Sequence, residues 1–513
     1  MPLQQVASTG LCKGRVCYCG MTVLQPKGFY SRLFPVPTRS LSRSEEEKLI
    51  RLGDAMRYNV EREGTLTPRV GYTYFSQFVG HDLTYDPTPL DGPYLEPQQT
   101  PNYRTPYLDL DHVYGGGPNH SPHLYRGERG SETFKLGGTT PTGYPRDLPI
   151  ENGAILLGDK EDRRNLDNLI LRQLHVLFLK FHNEAVNQLS AKPPAIVGIE
   201  NLGPGTTFER AQRLTRWHYQ WVVRHDLLSR ILHPSVWNHQ NRIVWTSSQA
   251  KHPFAIPIEF SLAAFRFGHS MVRNAYGLNC RQERVNLSDL MALGQRPSPV
   301  PDDFLIEWGR FFDGLPGSGP VASSSFIDTS IAAPLHDLSP SIIRLSGEMG
   351  RSVEPPRLPV RTLLRGARAK LPAGQEVADA LVRQGMIKSE DRLTGEQLTQ
   401  DTFNRAGSVL RDVGLEENTP LFYYLLKEAE LIANGLTLGP IGSYIVAAVI
   451  EGALVADPNS YVSVIGPDWK LPLWRFPSGM DEQVSSMIRI IRLVGDNQLL
   501  PECEARWRSF LPF

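Results

Sequence analysis

Residues 162–190 read DRRNLDNLILRQLHVLFLKFHNEAVNQLS. Within them Leu166, Leu169, Ile170, Leu174, Leu177, Phe181, Ala185 and Leu189 recur at steps of three and four. That spacing stacks side chains on one face of an α-helix, so a long core-facing helix is expected here. Its acidic head suits the positive end of the helix dipole. Outward from this segment, helical patterns cover 44–83, 207–233 and 259–273, then recur near 376–386, 396–413, 417–435, 440–455 and 480–494. Alternating strand patterns are scarce, and there are no repeats. The expected fold class is mainly α: one large helical domain with long Pro/Gly-rich loops and little β.

The loops have their own signature. Residues 85–150 hold runs such as DPTPLDGPYLEPQQTP, and a second such stretch spans about 296–320. Turn chemistry of this kind does not form helices. Connections this long inside a domain are usually functional or tied down by something. Residues 1–44 are rich in Gly, Pro, Ser and Thr and read as an N-terminal arm, loose or wrapped on the domain at 45–513.

Composition narrows the function classes. Of 513 residues 41% are hydrophobic and 21% charged, and 54 Lys+Arg balance 54 Asp+Glu. Nothing there points to nucleic acid or to an anionic membrane surface. The most apolar run, Ile445 to Ala456, is short and carries Glu451, so it reads as a buried helix and no transmembrane segment is expected. The N-terminus has no apolar core of signal-peptide type, which gives an expectation of a cytoplasmic protein or one exported by a non-classical route. The five cysteines, Cys12, Cys17, Cys19, Cys280 and Cys503, are odd in number and mostly scattered, so no disulfide framework is expected. The cluster of three reads as free thiols, because zinc would need a fourth ligand.

Three segments carry chemistry. In Tyr74 to Asp82, Gln77 and His81 stand four apart and share a helix face. At the head of the long helix, Arg164 and Asp167 stand three apart. In Phe260 to Arg273, His269 sits in an otherwise apolar helix, three residues after Arg266. A histidine in such a setting suits an axial haem ligand, and equally a hydrogen-bonded core residue. Each segment alone leaves both readings open.

Together they resemble the animal-type haem peroxidases of the peroxidase–cyclooxygenase superfamily, in particular compact bacterial members. QFVGHDLT (77–84) resembles the family's distal helix, RRNLDNLILRQLHVLFLKFHNEAV (163–186) its arginine helix, and AAFRFGHSMV (263–272) its proximal-histidine motif. LPVRTLLRGARAKLPAGQEVA (358–378) and GPIGSYIVAAVIEGAL (439–454) are similar to two later segments. The matches fall in order over about residues 45–495.

The resemblance implies haem b and a set of roles. His269 is the proximal iron ligand. His81 moves a proton from the inner to the outer oxygen of hydrogen peroxide. Arg164 stabilises the charge that develops as the O–O bond breaks. Gln77 places water, peroxide or a small anion, and Arg365 pairs with a haem propionate, with Arg266 also on the cofactor. Oxidation of a small organic or (pseudo)halide donor through an oxoferryl intermediate follows, with hydrogen peroxide and a small-molecule reductant as partners. Thr105 to Asp111 resembles the family's calcium loop, which implies Ca²⁺ held by Asp82, Thr105, Tyr107 (through its carbonyl), Asp109 and Asp111.

Three positions depart from the family pattern. Gly80 stands where relatives form one haem ester, and Asp167 where they have a glutamate that forms the other; at most one ester, through Asp167, is expected. Thr362 stands where the family has an asparagine bonded to the proximal histidine, and either its oxygen or another group would have to serve there. Two other readings stay on the table. A fatty-acid dioxygenase of the cyclooxygenase type would carry a tyrosine three residues before the proximal histidine, where this chain has Arg266. A catalytically silent scaffold would tolerate loss of His81, Arg164 or His269, and all three are present.

Overall fold

The computed structural model describes residues 10–12, 15–18, 21–22, 26–36, 41–58, 64–90, 96–139, 145–238, 254–345, 355–496 and 499–508. It is mainly α, and its strands of two to four residues pair in short antiparallel ribbons. The helices that build the site are α1 (Arg43–Ala55), α2 (Val70–Leu83), α3 (Leu169–Ser190), α4 (Thr207–Trp221), α5 (Leu287–Gln295), α6 (Leu358–Arg368), α7 (Leu421–Ile432) and α8 (Pro440–Ala456).

Helix α3 is the spine of the core. Its side chains are buried almost all round, from Leu169 to Leu189. Asn168 caps it, its side-chain oxygen accepting from Leu171 N at 2.9 Å. An aromatic cluster joins it to its neighbours: Phe78 of α2 stacks on Phe178 of α3 at 4.8 Å, and Tyr219 of α4 meets Phe178 edge-on at 5.4 Å. This contact seats the end of α2 beside the head of α3. Arg172, fully buried, binds both oxygens of Asp147 at 2.7 and 2.8 Å and donates to the carbonyls of Arg296 and Ser298. The two Pro/Gly-rich loops are thereby tied to the spine. Helix α5 packs so closely that a Cβ on Gly294 would lie 2.5 Å from the Asn168 backbone.

Helix α8 is entered over another helix's carboxylate. Glu428 of α7 accepts from Ile441 N at 2.8 Å and Gly442 N at 3.1 Å, satisfying amides that the helix start leaves unpaired. Glu451 pairs with Arg224 at 2.7 Å inside the core. Among the described residues no helix is long and apolar enough to cross a membrane.

Three periodic stretches differ from the expectation. Residues 259–273 are not one helix but three turns, Ile258–Leu262, Ala264–Arg266 and Gly268–Met271. The chain leaves helical angles at Ala263, and Phe265 folds back onto Phe260 with ring centroids 4.6 Å apart. Residues 396–413 split into Gly395–Leu398 and Ala406–Asp412, because Asn404 accepts from Ala406 N and restarts the helix. Residues 481–483 form a strand paired with Leu473–Arg475 ahead of the Met487–Leu493 helix.

Residues 26–36 of the arm are stitched to the body. Gly28–Phe29 pairs with Pro101–Asn102, and Ser31 exchanges backbone bonds with Ile256 and Ile258 at 2.9 Å. Glu259 accepts from Leu33 N at 3.0 Å. Contrary to the reading of the cysteine count, Cys280 and Cys503 form a disulfide across 223 residues, fastening the Pro501–Arg508 helix. Only backbone strands are described around Cys12 and Cys17, and Cys19 lies outside the described residues.

Candidate functional site

Helix α2, the head of α3 and the three turns around His269 enclose one cavity of about 300 Å³. Gln77, His81, Arg164, Asp167, Arg266, His269 and Arg365 all line it. The i, i+4 pair on α2 and the i, i+3 pair before α3 thus meet, although Arg164 and Asp167 belong to a turn of 3₁₀ type and not to the helix proper.

His81 is held at its back. Its Nδ1 lies 2.9 Å from Asn165 Oδ1, and Asn165 Nδ2 lies 3.1 Å from His175 Nδ1. With Oδ1 facing His81, Nδ1 carries the proton and Nε2 is left as the base. Burial, reinforced by the nearby Arg164 charge, lowers the His81 pKa to about 3, so its ring is neutral at ordinary pH. On the cavity side Nε2 lies 3.9 Å from Asp167 Oδ2. Gln77 Nε2 donates to that same Asp167 oxygen at 3.1 Å. Burial raises the Asp167 carboxyl to about 7.

Arg164 is clamped in place. Its Nε and Nη2 bind the two oxygens of Asp162 at 2.8 and 2.7 Å, Nη2 also donates to the His81 carbonyl at 3.1 Å, and the guanidinium lies 4.5 Å from the Tyr85 ring centre. Burial opposes charge on both partners, yet Asp162 holds Arg164 above the usual arginine value.

His269 faces the cavity from the last of the three turns, with the Phe422 ring of α7 6.0 Å away. Burial, then Arg266, lowers its pKa to about 3, which leaves the neutral imidazole that metals bind. Its Nδ1 is buried with no hydrogen-bond partner. The expectation that Thr362 or another group would serve that nitrogen fails: Thr362 Oγ1 accepts from Arg266 Nη1 at 3.4 Å instead. Arg266 is further held by the Ser261 carbonyl at 3.0 Å. Arg365 donates to the Thr88 carbonyl at 2.8 Å and lies 3.6 Å from Asp86.

Residues 69–298 match the family model for animal haem peroxidase. Over that segment the chain is similar to the animal haem peroxidases. The match takes in Gln77, His81, Arg164, Asp167, Arg266 and His269, and leaves Thr362 and Arg365 outside it. The chain is 27% identical over 192 residues to a peroxidase-like protein of Margaritifera margaritifera, covering 35% of this chain and 23% of that one. It is 24% identical over 274 residues to peroxidase mlt-7 of Caenorhabditis elegans, covering 48% and 32%. It therefore spans about a quarter to a third of the length of the curated relatives it matches. Peroxidase A of Dictyostelium discoideum shares the fold with a TM-score of 0.59 at 14% identity, over 93% of both chains. A fatty acid alpha-dioxygenase of Oryza sativa does so with a TM-score of 0.61 at 14% identity, over 94% of this chain and 81% of that one. The fold is common to both activities.

The cavity suits the haem that this family carries. It presents a neutral imidazole, and two arginines forced together: Arg266 is lowered to about 10 by burial and by Arg365. An anionic group between them would relieve that repulsion. Three contributors escaped the sequence reading. Asn165 sits inside the helix head at 162–168, where it forms no i, i+3 or i, i+4 pair with Gln77, His81 or Asp167. Asp162 was taken as a dipole-friendly start and is the clamp on Arg164. Tyr30, from the arm, is a wall of the cavity and has no periodic signal.

Of the residues read as a calcium site, Asp82 and Asp111 come together, beside His112, which that reading did not include. Asp82, Asp111 and His112 bring ligand atoms within 4.8 Å of one another. Asp82 Oδ1 lies 2.8 Å from His112 Nδ1 and Oδ2 accepts from Leu110 N at 3.2 Å. Asp109 is raised to about 8 by burial and by the carboxylates of Asp111 and Asp82, and the Thr105 hydroxyl is buried beside it. Asp111 alone is held below the usual range, because Arg104 and Lys27 outweigh its burial.

Proposed function

We propose that this chain is a haem peroxidase that reduces hydrogen peroxide and oxidises a small organic or (pseudo)halide donor. One observation carries the reading: His81, backed by Asn165 and neighboured by the clamped Arg164, faces the same cavity as the neutral His269. Haem bound there supplies the iron that takes up peroxide and passes oxidising equivalents to the donor.

His269 would hold the iron, through the ring nitrogen other than its buried Nδ1. His81 Nε2 would take a proton from the inner oxygen of hydrogen peroxide and return it to the outer oxygen, which leaves as water, the two oxidising equivalents passing to the haem and from it to the donor. A pKa of about 3 keeps Nε2 ready to accept that proton at neutral pH. Arg164 stays charged and steadies the negative charge on the departing oxygen. Gln77, anchored by Asp167, positions the small ligand. Arg266 and Arg365 would pair with the propionates. Ca²⁺ held by Asp82, Thr105, Tyr107, Asp109 and Asp111 would offset the repulsion among buried carboxylates and fasten α2 to the loop. An ester through Asp167 belongs to the same proposal, and its carboxyl, raised by burial to about 7, stands on the cavity wall.

The test is haem-loaded protein mixed with hydrogen peroxide and a phenolic dye, with halides and thiocyanate in parallel. Dye oxidation lost in His81→Ala and Arg164→Ala is the expected result; equal rates in all three would contradict the roles. The dioxygenase reading draws on the apolar wall of Leu335, Leu338, Ile342, Ile343 and Leu358 and on the shared fold. Oxygen uptake with linoleate, absent here by the peroxidase reading, decides between them.

A further inference from the structure

The carboxylate cluster at the end of α2 already holds a cation of the chain's own. Lys27 Nζ rests against Asp111 Oδ2, and Arg104 Nη1 donates to Asp111 Oδ1 at 3.0 Å. Both oxygens of Asp111 are therefore engaged, and Thr105 N also donates to Oδ2 at 3.2 Å. The two cations differ in kind. Arg104 is fully buried and shared with Asp159 and Asp162, so it is part of the fixed framework. Lys27 is 37% exposed and comes from the N-terminal arm.

That arm runs from the cluster to the cavity. Lys27 N donates to the Asn102 carbonyl at 2.9 Å, Ser31 is bonded to the segment leading into the His269 turns, and Tyr30 between them forms part of the cavity wall. A single short strap thus connects Asp111 to the site where His81 and His269 face each other's cavity.

We propose that Lys27 is an intramolecular competitor of calcium: its ammonium and a Ca²⁺ ion claim the same Asp111 oxygen and exclude one another. This rests on the calcium reading given above. An ion coordinated at Asp111 Oδ2 leaves no room for an ammonium at that oxygen and repels it at any close distance. The coupling is reciprocal, so calcium weakens the docking of Lys27 and that docking weakens calcium. Calcium therefore loosens the strap at its Lys27 end, while the backbone bonds of Tyr30 and Ser31 keep Tyr30 in the cavity wall.

The test uses full-length haem-loaded protein titrated with calcium chloride and followed by calorimetry, in wild type, Lys27→Ala and the charge-retaining Lys27→Arg. Lys27→Ala should bind calcium about tenfold more tightly than wild type, as removal of a partly exposed competing ion pair allows, with Lys27→Arg close to wild type. Calcium should also speed amide hydrogen exchange at Lys27 of the wild type. Equal affinity in wild type and Lys27→Ala, with calcium bound to both, overturns the competition and leaves the calcium site standing. Binding by neither protein overturns both. Slower exchange at Lys27 when calcium binds overturns the linkage.

Discussion

Asn165 Oδ1 lies 2.9 Å from His81 Nδ1, and the same amide reaches His175 Nδ1 at 3.1 Å through Nδ2. A side chain next to Arg164 therefore sets the tautomer of His81, the base in the proposed reaction. Replacing it separates orientation from charge. Asn165→Ala should slow the peroxide-driven change in the haem spectrum by about tenfold to a hundredfold, the usual effect of losing such a support. Asn165→Asp should instead raise the His81 pKa from about 3, because a carboxylate at Nδ1 favours the imidazolium. The acid limb of the rate profile then moves to higher pH. An Asn165→Asp profile superimposable on wild type would remove Asn165 from the mechanism.

Asp167 makes a prediction about stability. Its folded pKa of about 7 lies above the ordinary carboxyl value, so its contribution to the stability of the haem-free protein is full only below about pH 4 and is lost as pH rises towards 7. Asp167→Asn should therefore stabilise the haem-free protein at pH 8, by on the order of 2 kcal/mol, and not at pH 4. Thermal melts at the two pH values read this directly. The ester is tested separately: acid-acetone extraction that releases all the haem removes it.

His269 Nδ1, buried without a partner, predicts a proximal imidazole with little anionic character. Thr362 spends its oxygen on Arg266. Thr362→Asn supplies an acceptor in the family's position and should lower the iron midpoint potential by on the order of tens of millivolts. Spectroelectrochemistry checks it, and an unchanged or higher potential speaks against the account of this side.

The disulfide between Cys280 and Cys503 holds the Pro501–Arg508 helix in place. Reduction, or Cys503→Ser, should cost about 2–4 kcal/mol of stability and expose that helix to protease. The haem spectrum should stay as it was, since neither cysteine lines the cavity. A spectral change on reduction would show that the clamp reaches the iron site.

Much of the site was legible because helical spacing is local. Gln77 and His81, four apart, could be placed on one face without knowing the fold, and Arg164 and Asp167 likewise. His269 lies beside the expected residues but not in one continuous helix, because the chain leaves helical angles at Ala263, which helical spacing does not express. Long-range pairings left no trace in the pattern: Cys280 with Cys503, Lys27 with Asp111, and Arg172 with the two loops. Asn165 was in plain view, but its role depends on where His175 and the end of α2 meet, which no spacing rule expresses.

The central claim is that His81 is the base for peroxide in a haem site held by His269. Stopped-flow mixing of haem-loaded wild type and His81→Ala with hydrogen peroxide tests it most directly. The account predicts a fast spectral change in the wild type that falls by roughly 10²–10⁴-fold in the variant. A wild-type haem protein whose spectrum does not respond to peroxide, or a variant that responds equally fast, would contradict it.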